Sequence, residues 1–357
     1  MHQLALSTRH FLKNTEMQIN ALKSCKQTYI HEFPVKSLNG CKCTHHRGNS
    51  LDTLAHSRKS SQKSKQTLQK RARAKAMNFN VLGALMDLRS DLYEHYKKAT
   101  TCCNYVSKSN GKLTSRYCNS RACLVCNRIR TGKLLNQYKP LFDKLENPYF
   151  LTLTKPTVKA DDLKDGISDT IKEFSRISDV LRKRGIRLHA LRKLECTYTK
   201  GRFHAHLHVI VDGLEVARMI MDEWLKRNPT SKRCAQHFRK ADKNTLPELF
   251  KYVCKPPANE DGTLNAWAFD QILRSLYRKK TLQPYGAFRE KRISEDVMPE
   301  DATLEANDLE TDLYVWHQDS YDWISIDTGE VLSHYKPTEK DLSFIHKTQL
   351  YELHEHT

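Results

Sequence analysis

Three histidines stand at alternate positions in the stretch GRFHAHLHVIVDG, residues 201–213. Alternate side chains of a β-strand share one face, so His204, His206 and His208 would line one side of such a strand. The residues between and after them are apolar and predict that the opposite side packs on a core. A row of imidazoles on one face of a strand is a candidate set of metal ligands.

A glutamate faces this row across a predicted tight turn. Lys200 and Gly201 are expected to form a two-residue hairpin turn, because glycine adopts positive φ without steric cost. That turn would place Glu195 opposite His206 and diagonal to the histidines on either side. Two imidazoles and one carboxylate on a rigid hairpin suit a divalent metal and leave coordination positions open, as in catalytic sites.

We assign His206 and His208 as the imidazole ligands, because they directly precede the apolar run VIV, and Glu195 as the third ligand. His204 lies nearer the turn and is expected to contact a phosphate of the substrate. The competing interpretation is a surface strand with exposed histidines. It does not account for three histidines at a period of two with a carboxylate across the turn.

A tyrosine and a glutamate lie four residues apart in PELFKYVCKP, which predicts a short helix that ends at prolines. Glu248 and Tyr252 would share one face of that helix. Tyrosine, with a pKa of about 10, is a weak nucleophile at neutral pH, but beside a metal-polarised phosphate it can form a phosphotyrosine. Glu248 could then activate water as a general base, and Lys251 and Lys255 are expected to contact nucleic acid.

Cysteines cluster in CNSRACLVC, which supplies Cys118, Cys123 and Cys126. The two-residue gap between the last two is usual for structural zinc, and Cys102 or Cys103 could supply a fourth thiolate from across a loop. We expect a four-cysteine Zn²⁺ site with Cys102 as the fourth ligand. The alternative is a set of reduced thiols, one or two of them packed in a core.

Basic residues surround these cysteines. Arg116 and Arg121 are expected to contact phosphates, together with Arg128 and Arg130. The cysteine-rich stretch would therefore position nucleic acid.

The other segments predict an α+β fold. Residues 148–156 form a predicted strand, and the stretches on either side of Lys200 and Gly201 form a hairpin. Apolar residues at helical spacing predict helices at 80–99, 162–185, 214–228, 248–255 and 266–280. Because strands and helices interleave while one strand pair is antiparallel, we expect an antiparallel sheet with flanking helices.

Composition divides the chain into four predicted parts. Residues 1–66 are polar and basic and are expected to be disordered or loosely helical. Residues 67–140 would hold a helix and the cysteine-rich stretch, and residues 141–292 would hold the histidine hairpin. Residues 293–357 form an acidic segment.

The charge of the chain points to a polyanionic partner. The 357 residues include 60 Lys and Arg and 41 Asp and Glu, a net charge of +19. Residues 293–335 contain twelve acids and no Lys or Arg, so residues 1–292 alone have a net charge of +32. Such an excess is typical of proteins that bind nucleic acid, and a zinc hydrolase of small molecules does not explain it.

The hydropathy pattern predicts a cytoplasmic protein without membrane contact. No run of about 18 apolar residues is present, and the first residues lack the long apolar core of a signal peptide. In a reducing compartment, clustered cysteines are expected to bind metal rather than to form disulfides.

Three motifs occur in an order that resembles the HUH endonucleases, specifically the type-1 rolling-circle replication initiators of small bacterial plasmids. They are FLTLT at 150–154, FHAHLHVIV at 203–211 and ELFKYVCK at 248–255. The stretches RYCNSRACLVC and LRSLYRKKTLQPYGAFRE are also similar to this family. The likeness spans about residues 100–290, and the histidine motif is its most specific part.

The resemblance implies an HUH fold with a ferredoxin-like core and Mg²⁺ or Mn²⁺ bound by the histidine pair and a third polar ligand. It implies that Tyr252 nicks one strand of plasmid origin DNA, stays on the 5′ phosphate and leaves a 3′-OH for a host polymerase, with a host helicase as a further partner. Glu248 fits the glutamate that lets water end the cycle. Pro256 stands where two-tyrosine relatives have their second tyrosine.

Two other classes remain open. A single-strand transposase or a mobilisation relaxase uses the same chemistry, although relaxases usually place the tyrosine before the histidine strand, and such transposases are usually shorter and lack a cysteine-rich lead-in. A non-catalytic zinc protein could bind nucleic acid through residues 66–130. Its function would survive the loss of Tyr252, whereas that of an initiator would not.

Overall fold

A computed structural model describes six parts of the chain. They are residues 50–109, 112–250, 256–289, 295–298, 304–305 and 312–342. Of the predicted site residues, Lys251, Tyr252 and Lys255 lie outside these parts.

Helices in the described residues flank two sheets. The helices are α1 (Ser50–Asp87), α2 (Tyr93–Thr100), α3 (Leu124–Phe142), α4 (Leu163–Lys183), α5 (Leu214–Arg227), α6 (Thr245–Phe250) and α7 (Ala266–Ser275). The strands are β1 (Tyr105–Ser109), β2 (Lys112–Ser115), β3 (Pro148–Thr154), β4 (Ala190–Thr199), β5 (Arg202–Asp212), β6 (His237–Lys240), β7 (Leu282–Tyr285), β8 (Leu304–Glu305), β9 (Asp312–His317) and β10 (Asp322–Ser325). The predicted α+β class with antiparallel sheets is confirmed.

The sheet that carries the histidines, called here the hairpin sheet, has the strand order β6-β3-β5-β4-β7 with antiparallel neighbours throughout. Its first four strands follow the chain order strand, helix, two strands, helix, strand. The hairpin of β4 and β5 pairs Glu195 with His206, in the predicted register. Lys200 and Gly201 have φ angles of 50° and 76°, and a two-residue turn of type I′ requires positive φ at both positions.

Each face of the hairpin sheet packs against helices. Helices α4, α5 and α7 cover one face, where Phe203, Leu207 and Val209 are fully buried. Helices α3 and α6 pack on the other face around Phe150 and Ile210. The histidines continue this second face from Ile210 toward the turn, because they share its strand parity.

Helix α4 packs on the hairpin sheet through an apolar face that is evident in its sequence. Ile167, Phe174 and Ile177 recur at helical spacing and are fully buried against the strands. The helix is followed by Gly185 at φ 76°, the left-handed conformation that glycine adopts readily after a helix end. The predicted helix at 162–185 is thereby confirmed.

The second sheet, called here the cysteine sheet, has the order β10-β9-β1-β2-β8. Strand β1, beside the cysteines, pairs with β9, and Tyr105 lies opposite Val315. Strand β2 pairs with β8 through Leu113 and Leu304. Strands that begin at 304 and 312 thus pair with strands of the region predicted as 67–140.

The bounds of the first helices differ in part from the prediction. Residues 50–66 belong to α1, which is compatible with the loose helix given as one of two expectations, and the Lys-, Arg- and Gln-rich sequence of α1 favours a helix once its later apolar residues are packed. The helix expected over 80–99 is two helices, because the chain turns between them with Arg89 at φ 47°. Helix α7 also ends five residues before its expected end.

Candidate functional site

Three side chains converge on the histidine face of the hairpin sheet. The ligand atoms of Glu195, His206 and His208 all lie within 4.8 Å of one another, and these residues are called here the metal triad. Glu195 Oε2 is 3.4 Å from Nε2 of His208, its diagonal neighbour across the hairpin. The rings of the two histidines meet edge to face with centroids 4.8 Å apart. The predicted ligand set is therefore assembled by the hairpin register.

In both histidines Nδ1 has a partner outside the metal triad, while Nε2 of His208 faces the Glu195 carboxylate. Nδ1 of His208 lies 3.1 Å from the hydroxyl of Thr152 on β3, and Nδ1 of His206 donates to the carbonyl of His204 at 3.2 Å. The Nε2 atoms are thus the nitrogens that would bind an ion, which would replace the direct contact of His208 with Glu195. Phe150 stacks on the ring of His208 with centroids 5.4 Å apart and holds that ring in plane.

The protonation states in the metal triad suit metal binding at neutral pH. Burial alone would raise the pKa of Glu195, but the hydrogen bond from His208 and the charge of Lys193 together lower that pKa to about 2. Burial, followed by the neighbouring His208, lowers the pKa of His206 to about 4. A carboxylate and a neutral imidazole are the forms that bind a cation. Burial also lowers the pKa of His204.

Lys193 is a site residue that the sequence reasoning missed. Its side chain is 4% exposed, and its Nζ lies 3.9 Å from Glu195 Oε2 and donates to the Leu249 carbonyl at 2.6 Å. The signal was its position two residues before Glu195, which places both side chains on the same face. Lys193 therefore connects the end of α6 by a hydrogen bond to β4, the strand that carries Glu195.

Glu248 is held by an arginine on the edge strand β6. Its carboxylate accepts a hydrogen bond of 2.6 Å from Nη2 of Arg239. The Arg239 guanidinium lies over the ring of Phe150, 4.8 Å from its centroid, and Phe150 in turn stacks on His208. The predicted general base is thus linked through one ring to the metal triad. The distance from Glu248 to Tyr252 involves a residue outside the described parts.

Four sulfur atoms form a second group, called here the cysteine cluster. Its members are Cys102, Cys118, Cys123 and Cys126, whose Sγ atoms lie within 4.8 Å of one another. Sγ of Cys126 is 3.5 Å from that of Cys102 and 3.7 Å from that of Cys118. A zinc–sulfur distance of about 2.3 Å in a tetrahedron places sulfur atoms about 3.8 Å apart, so the cluster fits Zn²⁺.

The surroundings of the cysteine cluster do not act alike on its thiols, since burial raises the pKa of Cys123 while the hydrogen bond from Cys102 lowers the pKa of Cys126. Cys123 caps the start of α3, where its sulfur accepts from the backbone N–H of Cys126. The hydrogen bond from Cys102 lowers the pKa of Cys118. The buried ammonium of Lys75 donates to the carbonyl of Cys102 at 2.7 Å and supplies a positive charge beside the sulfurs.

The arginines near the cluster fall into two groups. Arg121 donates to the carbonyls of Leu276 and Lys279 at 2.8 and 2.9 Å, so its guanidinium holds the backbone after α7. Arg130 is buried and donates to carbonyls and to an amide. Arg116 and Arg128 are exposed, so only these two have side chains largely open to a phosphate. The expected phosphate contact of Arg121 would compete with its two internal hydrogen bonds.

Among the described residues, no helix is both long enough and apolar enough to cross a membrane.

The comparisons with known proteins bear on the middle of the chain. Residues 112–213 match the Rep_1 family model, described as a replication protein. "Protein rep" of a Bacillus species is 28% identical over 129 residues, which cover 32% of this chain and 42% of that relative. The chain thus spans less than half of the length of this curated relative. No solved structure matches the chain.

The matched segment contains the FLTLT strand and the whole metal triad, and it ends before Glu248. The resemblance to plasmid replication initiators is therefore confirmed.

Proposed function

We propose that this protein starts rolling-circle replication of a plasmid by nicking one strand of origin DNA, with Tyr252 as the nucleophile. The observation that carries the proposal is the metal triad, which is assembled on one rigid hairpin inside the segment that matches replication proteins. The net charge of +32 on residues 1–292 is consistent with a DNA substrate.

The topology supports an HUH-type core. Strands β6-β3-β5-β4, connected as strand, helix, two strands, helix, strand, have the arrangement of a ferredoxin-like sheet. In this arrangement the neighbouring strands β3, β5 and β4 carry the polar site residues on the face opposite α4 and α5. The site therefore lies on a rigid layer rather than on a loop.

The metal triad would hold the catalytic ion. One carboxylate oxygen and two Nε2 atoms form a donor set for a divalent cation with room for further ligands, and the resemblance to replication initiators implies Mg²⁺ or Mn²⁺ at this position. When bound, such an ion polarises a phosphoryl oxygen and stabilises the negative charge that develops on the phosphate.

The first chemical step falls to Tyr252. Its hydroxyl gives up a proton, its oxygen bonds to the scissile phosphorus, and the bond from phosphorus to the 3′ oxygen breaks. The 3′ oxygen takes up a proton and becomes the primer for a host polymerase. Lys251, Lys255 and His204 would contact the backbone of the bound strand. A host helicase is the expected partner for unwinding.

Glu248 would act at the end of the cycle. Its carboxylate accepts a proton from a water molecule, the water oxygen attacks the phosphotyrosine, and Tyr252 leaves with a proton restored to its oxygen. The hydrogen bond from Arg239 orients this carboxylate beside the histidine face. The tie from Lys193 to Leu249 holds α6 at the same edge of the site.

The cysteine cluster would hold structural Zn²⁺. Its four ligands come from the loop after α2, from the segment between β2 and α3, and from the start of α3, so the ion would join segments that approach each other only in the folded chain. Arg116 beside it would contact duplex phosphates and position the origin.

A covalent-adduct assay tests the proposed function. Purified protein is incubated with labelled single-stranded oligonucleotides tiled from the origin of its plasmid, with Mg²⁺ or Mn²⁺, and analysed on a denaturing gel. We expect one tile to give a protein–DNA adduct that is lost in Tyr252→Phe and kept in the matched variant Tyr105→Phe.

Histidine variants give the matching test of the metal triad. His206→Gln should abolish the adduct, whereas His237→Gln should keep it, because His237 lies on the same face of the sheet outside the triad. DNA binding without an adduct on any tile and with either metal would favour the non-catalytic zinc protein. An adduct that persists in Tyr252→Phe would remove Tyr252 as the nucleophile.

A further inference from the structure

A cleft lies on the side of the hairpin sheet away from the histidines. It has a volume of about 730 Å³ and runs between α2, the start of α4 and α7. A second hollow of about 280 Å³ shares Leu92, His95 and Tyr277 with it and extends toward the cysteine cluster. Trp267, in the wall of the first cleft, packs against Phe203 on the face opposite the metal triad. We call the two hollows together the aromatic cleft.

Two large aromatic side chains in the aromatic cleft are open to solvent. Trp267 is 45% exposed and Tyr277 is 47% exposed, although rings of this size are normally buried. The inner side of Trp267 rests on Phe203 and Tyr198, with centroids 5.9 and 6.2 Å away. The ring of Tyr277 lies 5.8 Å from that of His95. Both rings are therefore fixed while part of their surface stays free.

Positive charge surrounds these rings. The lining contains five cationic side chains, Lys98, Arg121, Lys164, Arg274 and Arg278, and two acidic side chains, Asp91 and Asp161.

Some of these charges already have partners within the protein. Arg274 pairs with Asp91 at 2.9 Å, and Arg121 is held by backbone carbonyls. Lys98, Lys164 and Arg278 are exposed, and the Arg278 guanidinium lies 5.3 Å from the centroid of the Tyr277 ring. Fixed aromatic rings with cations between them are what a single-stranded nucleic acid needs, because bases stack on the rings and phosphates meet the cations.

We propose that the aromatic cleft binds a segment of single-stranded DNA, with bases stacked on Trp267 and Tyr277 and phosphates on Lys98, Lys164 and Arg278. Paired bases do not offer their faces to a side chain, which argues against duplex DNA as the occupant. The inference extends the proposed function, since it assigns a second contact to the same DNA strand on the opposite side of the hairpin. None of these residues belongs to the metal triad.

The test measures binding of a fluorescently labelled oligothymidylate of about twelve nucleotides at low salt. One stacked base contributes enough affinity that Tyr277→Ser is expected to weaken binding about 5-fold to 100-fold. The matched control Tyr105→Ser removes a tyrosine that is 36% exposed on β1 outside the cleft and should change binding less than 2-fold. Lys98→Gln should weaken binding, and Lys97→Gln, one residue away and outside the lining, should weaken it less.

A second ring variant separates stacking from folding. Trp267→Leu should weaken binding, whereas Trp267→Tyr should retain most of it, and thermal melting of both shows whether the fold is kept. Equal affinity of wild type, Tyr277→Ser and Trp267→Leu would overturn the inference. So would an unlabelled duplex that displaces the labelled strand better than unlabelled single strand does.

The adduct assay on the same variants distinguishes this inference from the proposed function. Lost oligothymidylate binding in Tyr277→Ser without an adduct in wild type would refute the nicking activity and retain the cleft. An adduct in wild type with unchanged oligothymidylate binding in both ring variants would support the nicking activity and refute DNA binding in the aromatic cleft.

Discussion

The hydroxyl of Thr152 offers a sharp test of how the metal triad is held. It lies 3.1 Å from Nδ1 of His208, on the neighbouring strand β3. Replacing Thr152 by valine removes this hydrogen bond and keeps a β-branched side chain of similar shape, so the strand should be retained. The substitution therefore separates the orientation of one imidazole from the presence of the ligand.

The expected loss can be estimated from the hydrogen bond. Partners behind a ligating histidine typically contribute 10-fold to 100-fold in metal affinity, which is about 1.4 to 2.7 kcal/mol. Global stability should fall less, by about 0.5 to 1.5 kcal/mol, because one partly buried hydrogen bond is lost. Mn²⁺ affinity measured by calorimetry should thus weaken at least 10-fold in Thr152→Val, with only a small change in the urea midpoint.

Thr197→Val is the matched control. Thr197 lies on β4 on the same face, opposite His204, and within the described parts of the chain it forms no hydrogen bond with a histidine of the metal triad. Its Mn²⁺ affinity should stay within 2-fold of wild type. If Thr152→Val binds Mn²⁺ as tightly as wild type, the hydroxyl does not orient His208 and the argument for the Nε2 ligand atom fails.

Three further predictions concern the turn, the cysteine cluster and the contact of α1 with residue 341. Gly201→Ala should lower the free energy of unfolding by about 1 kcal/mol in urea melts, because φ is 76° there, and an unchanged midpoint would contradict the turn assignment. Zinc measured by elemental analysis should fall from one ion per chain to none in Cys126→Ser and persist in Cys196→Ser, whose cysteine is buried elsewhere. Burial would raise the pKa of Asp341, but Arg73 and other donors lower it to about 2. Ionised Asp341 therefore contributes about 1 kcal/mol to the free energy of unfolding, a value reduced because its partner Arg73 is half exposed. This contribution is present above pH 4 and is lost as the pH falls toward 2. The acid unfolding curves of wild type and Asp341→Asn should therefore converge near pH 2.

The hairpin and its site could be predicted from the sequence because the relevant rules are local. A two-residue turn fixes the register, and a period of two assigns each side chain to a face, so the pairing of Glu195 with His206 follows without any tertiary information. The period of two also places the side chain of Lys193 on the face of Glu195. The hydrogen bond from Lys193 to Leu249 could not be predicted in this way, because it joins different elements.

The strand pairing of the cysteine sheet could not be predicted from the sequence, because it is not local. Strands β1 and β9 are short and are separated by about 200 residues, and no turn or period links Tyr105 to Val315 in the sequence. The hydrogen bonds from Arg121 to backbone carbonyls could not be predicted either, since a count of basic residues does not show which guanidinium lies near a carbonyl. Non-local pairings and satisfied hydrogen bonds depend on the whole packed chain.

The pairing of β1 with β9 also has a consequence for how the protein is made. A ribosome that adds about 5 to 20 residues per second delivers β9 about 10 to 40 seconds after β1. Strands β3 to β7 of the hairpin sheet all emerge in this interval, and β1 then has only β2 as a strand neighbour. An edge strand left open for so long is a site where nascent chains on neighbouring ribosomes could pair with each other.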